Sequence, residues 1–186
     1  MLIRWAIFVS GEGSNLQNIL DLEAEGQLKS QRVELVVANK PCPAIDKAQR
    51  SSKENVVLDF RNPEVWDELL EILNEARIDR IFLLGFMRML SPEFIQQWAK
   101  PLLNLHPSLL PQYKGLQAIE RAYQAKEERM GVTVHEVTAA LDSGPILMQA
   151  ELCRIPGESL EALTERIHQL EHKLVRDYLF DLDIRP

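Results

Sequence analysis

An amide and an imidazole stand two residues apart in Asn104-Leu105-His106, at the end of a short apolar run that Pro107 closes. Side chains of a strand alternate with period two, so Asn104 and His106 share one face while Leu103 and Leu105 take the other. An amide N–H can hold the oxyanion of a tetrahedral intermediate, and an imidazole beside it can move protons. The pair suits transfer of an acyl group. Asp142 lies in the turn Leu141-Asp142-Ser143-Gly144-Pro145, after an apolar run that contains Thr133, His135 and Val137. A carboxylate within reach of His106 would fix the tautomer of the ring and favour its charged form. Aspartate also caps turns for its own backbone, and His135, facing as Thr133 and Val137 do, reads as a buried, satisfied histidine.

A second chemistry is written in Ser10-Gly11-Glu12-Gly13-Ser14-Asn15, which joins the first apolar run to a helical one. Small residues let backbone amides approach an anion at the positive end of a helix. The third glycine of a dinucleotide fingerprint is missing, and Asp21 and Glu23 come too early to be the acid that meets a ribose. A terminal phosphate is therefore expected here, with a tight turn capped by Asn15 as the alternative. Other chemistries fail on spacing. Ser108 sits in no G-x-S-x-G elbow. Cys42 and Cys153 form no C-x-x-C pair and are expected as reduced thiols, one in a loop and one on a strand. His168 and His172 are one helical turn apart, but Glu171 is their only neighbouring carboxylate and H-E-x-x-H is absent, so no metal is expected and His172 reads as part of a solvated face.

Positioning these groups requires a sheet. Short apolar runs at 3–9, 33–38, 56–58, 81–84 and 102–105 alternate with helical patterns at 16–24, 44–51, 64–76 and 93–98, which predicts βα units on a largely parallel sheet covered on both faces. Residues 106–115 read as a loop before a helix at 117–125. Strands at 132–137 and 146–155 then predict an antiparallel edge, and an amphipathic helix at 160–178 follows. In open α/β sheets ligands bind beyond the carboxyl ends of the strands, so the loops after Val9, Leu84, Leu105 and Val137 are the expected site walls. Gly144 offers the Asp142 turn a flexible point, as a lid would need.

The chain has 186 residues, 46% of them hydrophobic, enough for one core, and a single domain over 1–186 is expected. A formal charge of −7, with no dense run of Lys or Arg, argues against nucleic acid and against a membrane surface. No apolar stretch approaches the roughly 20 residues of a membrane span. Residues 1–9 are short, carry Arg4 and run into the glycine turn, so they read as a buried strand rather than a signal, and a cytoplasmic location is expected.

Four motifs, in this order, resemble the phosphoribosylglycinamide formyltransferase family of purine synthesis: the turn G-x-G-S-N, the run Gly85-Phe86-Met87-Arg88-Met89-Leu90-Ser91-Pro92, the segment NLHPSLLP and the run VTVHEVTAALDSGPIL. The resemblance implies a Rossmann-like formyltransferase fold, mostly parallel with an antiparallel edge and helices on both faces. It implies direct transfer of a formyl group from 10-formyltetrahydrofolate to the amine of glycinamide ribonucleotide, without a metal, by a monomer or homodimer. Carried onto this chain, it implies that Gly13, Ser14 and Asn15 hold the phosphate and that Glu171 meets the ribose hydroxyls. Met87, Arg88, Met89 and Leu90 would line the folate pocket, and the turn Thr138, Ala139, Ala140, Leu141 and Asp142 would close over the pterin. Asn104 also belongs to the folate contacts. Asn104 and His106 would be catalytic, with Asp142 supporting the charged imidazole and His135 in a supporting place. Two positions depart from the pattern. A histidine is usual shortly after Gly115, where this chain has Leu116-Gln117, and a folate-contacting arginine is usual near Pro63, where Arg61 is the nearby substitute. Relatives acting on methionyl-tRNA or hydrolysing formyltetrahydrofolate are expected to carry a further domain, which this chain is not expected to have. Formyl transfer to a different amine and a non-catalytic nucleotide-binding module are the remaining alternatives.

Overall fold

The computed structural model describes residues 2–184. Its seven strands are β1 (Ile3–Val9), β2 (Gln31–Ala38), β3 (Glu54–Val57), β4 (Arg80–Leu83), β5 (Leu102–His106), β6 (Arg129–Glu136) and β7 (Ile146–Cys153). They form one sheet in the order β3-β2-β1-β4-β5-β6-β7. The first five run parallel, while β5–β6 and β6–β7 are antiparallel, which is the expected mostly parallel sheet with an antiparallel edge. Central strands are apolar throughout because both faces are covered. The edges β3 and β7 are partly exposed and depart from that expectation, since each has a neighbour on one side only.

Six helices cover the sheet: α1 (Ser14–Ala24), α2 (Pro43–Arg50), α3 (Val65–Glu75), α4 (Pro92–Trp98), α5 (Ala118–Gln124) and α6 (Leu160–Ile184). Strand alternation divides the core into two layers. Trp5, Ile7, Val9, Leu103 and Leu105 pack against α1, α2, α5 and α6, whereas Ala6, Phe8, Leu83 and Leu102 pack against α3 and α4. Burying one such large side chain stabilises the fold by about 1.5–3 kcal/mol. Pro92 opens α4 behind Ser91, whose hydroxyl accepts a bond from the Phe94 amide at 3.0 Å.

Helix α6 runs to Ile184, beyond the expected end near 178, because Val175, Tyr178 and Leu179 continue its buried stripe. Glu171 sits inside that stripe, where periodicity alone would place an apolar residue. Among the described residues no helix is long and apolar enough to cross a membrane. Strand order reverses between β1 and β4, so the loops leaving their carboxyl ends part and open a crevice.

Candidate active site

The crevice is a cavity of about 690 Å³. All four expected loops contribute walls: Gly11 to Asn15 after β1, Leu84 to Leu90 after β4, Pro107 after β5, and Val137 to Asp142 after β6. Ser10 ties the first two together, its hydroxyl accepting from the Met87 amide at 2.7 Å. Ala140 is not among the lining residues, unlike its neighbours Thr138, Ala139, Leu141 and Asp142, because the turn carries it away from the cavity.

At the floor, the register of the β5–β6 pair sets Asn104 opposite His135 and His106 opposite Thr133. The Asp142 carboxylate reaches all three polar rings and amides: His106 Nδ1 lies 3.5 Å from Oδ2, His135 Nε2 lies 3.6 Å from Oδ1, and Asn104 Nδ2 lies 3.5 Å from Oδ1. The Gly115 amide donates to Oδ2 at 2.8 Å. Burial pushes the Asp142 carboxyl up, but the contact with His135, the Gly115 amide and the His106 ring outweigh it, so the group lies below the ordinary carboxylate value.

Main-chain carbonyls set the two imidazoles. A carbonyl only accepts, so the 3.0 Å contact between His106 Nε2 and Tyr113 O places a proton on Nε2 and leaves Nδ1 facing Asp142. His135 Nδ1 likewise donates to Glu136 O at 2.8 Å, so in the neutral ring Nε2 is bare. That bare nitrogen requires a donor, which orients the Asn104 side chain with Nδ2 toward it at 3.1 Å. One Asn104 N–H is thereby committed to His135, and the other turns to Asp142 Oδ1 across the longer 3.5 Å contact. His135 is therefore more than a satisfied core histidine: it decides which end of the amide the site presents.

A Cβ at Gly144 would fall 2.0 Å from the Glu136 carbonyl oxygen, so the position requires glycine for the close packing of the Asp142 turn. Asp142 itself holds a left-handed φ of 45°, and Lys114 Nζ bonds Ser143 Oγ at 2.6 Å across the gap.

At the far end, Gly13 begins α1 at φ 67°, and a Cβ there would meet Ala44 Cβ at 2.6 Å, so both backbone and space demand glycine. Asn15 does not cap the helix. Its Nδ2 donates instead to Glu171 Oε2 at 2.9 Å, joining α1 to α6, and its buried Oδ1 has no hydrogen-bond partner among the described residues. Burial holds the Glu171 carboxyl above its ordinary value against the opposing Asn15 bond and the nearby His168. His168, on the same helix, also lines the cavity, a place the i, i+4 pattern with His172 did not indicate. His172 is not on a solvated face: it is half-buried against α1, with Nε2 enclosed and unpartnered among the described residues. Among those residues no His, Cys, Asp and Glu side chains converge as a metal site.

Because Glu171 holds its proton more tightly folded than unfolded, burying its charge costs stability as pH rises from the unfolded value of about 4.3 through the higher folded one. Glu171→Gln is expected to raise the melting temperature at pH 8 and to leave it nearly unchanged at pH 4, by circular dichroism. Equal shifts at both pH values would contradict the burial argument.

At the opposite rim, Met87 and Met89 are 66% and 71% exposed, and Leu141 is 53% exposed, while Leu90 is buried beneath them. An apolar rim of this kind suits a flat, partly aromatic ligand. Arg88 lines this end, but Arg61 does not. Both Arg61 nitrogens Nε and Nη2 are taken by Asp59, at 2.8 and 2.7 Å, and that pair holds the Asp59 carboxyl down to about 2. Leu116 and Gln117 line the wall where a histidine was expected, Gln117 in a left-handed conformation at φ 55°.

Residues 3–179 match the family described as formyl transferase. The chain is 41% identical over 175 residues to the Trifunctional purine biosynthetic protein adenosine-3 of Drosophila melanogaster, covering 91% of this chain and 13% of that protein. It is 34% identical over 174 residues to the phosphoribosylglycinamide formyltransferase of Haemophilus influenzae, covering 91% of this chain and 82% of that one. The crystal structure of phosphoribosylglycinamide formyltransferase from Bacillus halodurans superimposes with a TM-score of 0.91 at 34% identity, covering 96% of this chain and 94% of the other. By sequence and by fold, the chain belongs to the formyl transferase family, in its phosphoribosylglycinamide formyltransferase group.

Proposed function

We propose that the protein transfers the formyl group of 10-formyltetrahydrofolate to the amine of 5'-phosphoribosylglycinamide, a step of de novo purine biosynthesis leading to IMP. The observation that carries this reading is one cavity with three parts in sequence: an anion turn at Gly13 to Asn15, the Asn104, His106 and Asp142 cluster, and an apolar rim at Met87 to Leu90. The turn receives the phosphate, Glu171 faces the ribose, and the rim with Thr138, Ala139 and Leu141 receives the folate rings. The residues fit that donor: Met87, Met89, Leu90 and Leu141 make the wall mostly apolar where a ring system would lie, with Arg88 and Thr138 beside them.

The acceptor nitrogen forms a bond to the formyl carbon, and the carbonyl oxygen gains charge. Asn104 stabilises that oxygen by exchanging its long 3.5 Å contact with Asp142 for a bond to the oxyanion. The bond between the formyl carbon and the folate nitrogen then breaks, and the proton lost by the acceptor amine reaches that leaving nitrogen through His106, which gives it from Nδ1 as an imidazolium balanced by Asp142. No metal takes part in this scheme.

A spectrophotometric assay with 10-formyltetrahydrofolate and glycinamide ribonucleotide tests it. Formation of tetrahydrofolate dependent on the acceptor is expected. Folded protein that binds the ribonucleotide yet forms no product would favour a nucleotide-binding module. Gln117, in the wall at a position where a histidine is usual, supports a second reading in which a different amine is the acceptor. Product formed from another amine, and none from glycinamide ribonucleotide, would establish it.

A further inference from the structure

The chemistry at the floor depends on a backbone segment that is itself held from outside. Between Tyr113 and Gln117 three residues have left-handed backbone, Tyr113 at φ 52°, Gly115 at 78° and Gln117 at 55°, and two of them are not glycine. Left-handed backbone is unfavourable for residues with a Cβ and persists only where surrounding structure imposes it. From this segment come two of the three main-chain groups that fix the cluster, the Tyr113 carbonyl on His106 Nε2 and the Gly115 amide on Asp142 Oδ2; the third is the Glu136 carbonyl on His135 Nδ1.

Arg121, exposed on α5, holds the segment from the side away from the cavity. Its Nη1 donates to Lys114 O at 2.7 Å and to Leu116 O at 3.2 Å, the two carbonyls that flank Gly115. Its guanidinium also lies over the Tyr113 ring, 5.5 Å from the centroid, and the Tyr113 hydroxyl is anchored on Glu127 at 2.6 Å. One planar cation thus touches three consecutive parts of the strained loop. It does not line the cavity.

We propose that Arg121 is a positioning residue for formyl transfer, clamping the Lys114 to Leu116 turn so that the Tyr113 carbonyl keeps a proton on His106 Nε2 and the Gly115 amide keeps Asp142 against its Nδ1. The proposal rests on the role given to His106 above. Releasing the clamp lets the turn relax toward ordinary backbone angles, and both bonds lengthen. Misplacement of a reacting group by about 1 Å costs up to about a hundredfold in rate.

Arg121→Met and Arg121→Lys test this, with kcat, the acceptor KM, thermal melting and ¹⁵N NMR of the histidine rings measured on each. Because Arg121 is exposed, both variants are expected to fold. Arg121→Met is expected to lower kcat about tenfold or more with little change in acceptor KM, and to shift the His106 nitrogen resonances as the Nε2 proton loses its bond to the Tyr113 carbonyl. Arg121→Lys should recover part of kcat, since an ammonium can hold one carbonyl of the pair. A folded Arg121→Met protein with wild-type kcat and unchanged His106 nitrogen resonances overturns the proposal. Should wild type form no product while those resonances still shift in Arg121→Met, the formyl-transfer reading fails and the clamp does not.

Discussion

His106→Ala is expected to lower kcat by about a thousandfold, within the range of roughly 10²–10⁴ for loss of a positioned acid or base, while the acceptor KM stays within about threefold. The separation of effects follows from topology. The turn Gly13 to Asn15 leaves β1 and His106 ends β5, with β4 lying between them, so the proposed phosphate contacts do not share a loop with the imidazole. Removing the ring deletes the group that faces Asp142 and frees the Tyr113 carbonyl, but it touches nothing in the segment Gly13 to Asn15. The measurement is steady-state kinetics beside isothermal titration of the ribonucleotide. Equal losses in turnover and in acceptor binding would remove the proton-transfer role, because they would mean that His106 supports the pocket as a whole.

How far the sequence reaches can be judged from this pair of strands. Period-two alternation placed Asn104 and His106 together on β5, and the structure has Leu103 and Leu105 buried on the opposite face against α1 and α6. Element order, the antiparallel edge and the four loop walls were equally legible, because apolar runs and turn residues carry local signals. The partners of His106 carry none. Asp142 arrives through the register that sets Asn104 opposite His135, a long-range pairing. Tyr113 and Gly115 act through a main-chain carbonyl, which every residue possesses, and a main-chain N–H, which every residue but proline possesses, so their side chains do not announce them. Gly144 shows a related limit: a glycine needed for close approach to Glu136 and one needed for freedom look alike in sequence. His172 was placed in solvent because the apolar stripe of α6 does not show that α1 lies over its flank, and nothing local to Arg61 shows that Asp59 takes its Nε and Nη2.

Asp142→Asn should produce a loss of similar size, about a thousandfold in kcat, although it changes no more than one oxygen to an NH₂ group. Donors crowd this carboxylate, with the Gly115 amide on Oδ2 and the Asn104 amide nearest Oδ1. An asparagine must turn its own NH₂ toward one of them and leave two donors facing each other. If the NH₂ points at Oδ1's place, it opposes the amide of Asn104; if at Oδ2's, it breaks the bond that holds Gly115 and faces His106. In either orientation the negative charge that balances an imidazolium at His106 is gone. The pH dependence separates this electrostatic role from a packing role. Burial raises the Asp142 carboxyl, yet His135, the Gly115 amide and His106 bring it below the ordinary carboxylate value, so the wild-type group stays ionised at every pH above that range. Wild type should consequently show no loss of kcat from protonation of Asp142 between pH 5 and 8, and the deficit of Asp142→Asn should persist across that whole interval. A deficit that closed toward pH 5 would mean that the wild-type carboxyl is taking up a proton there, and the assignment of Asp142 as a permanent counter-charge would fall.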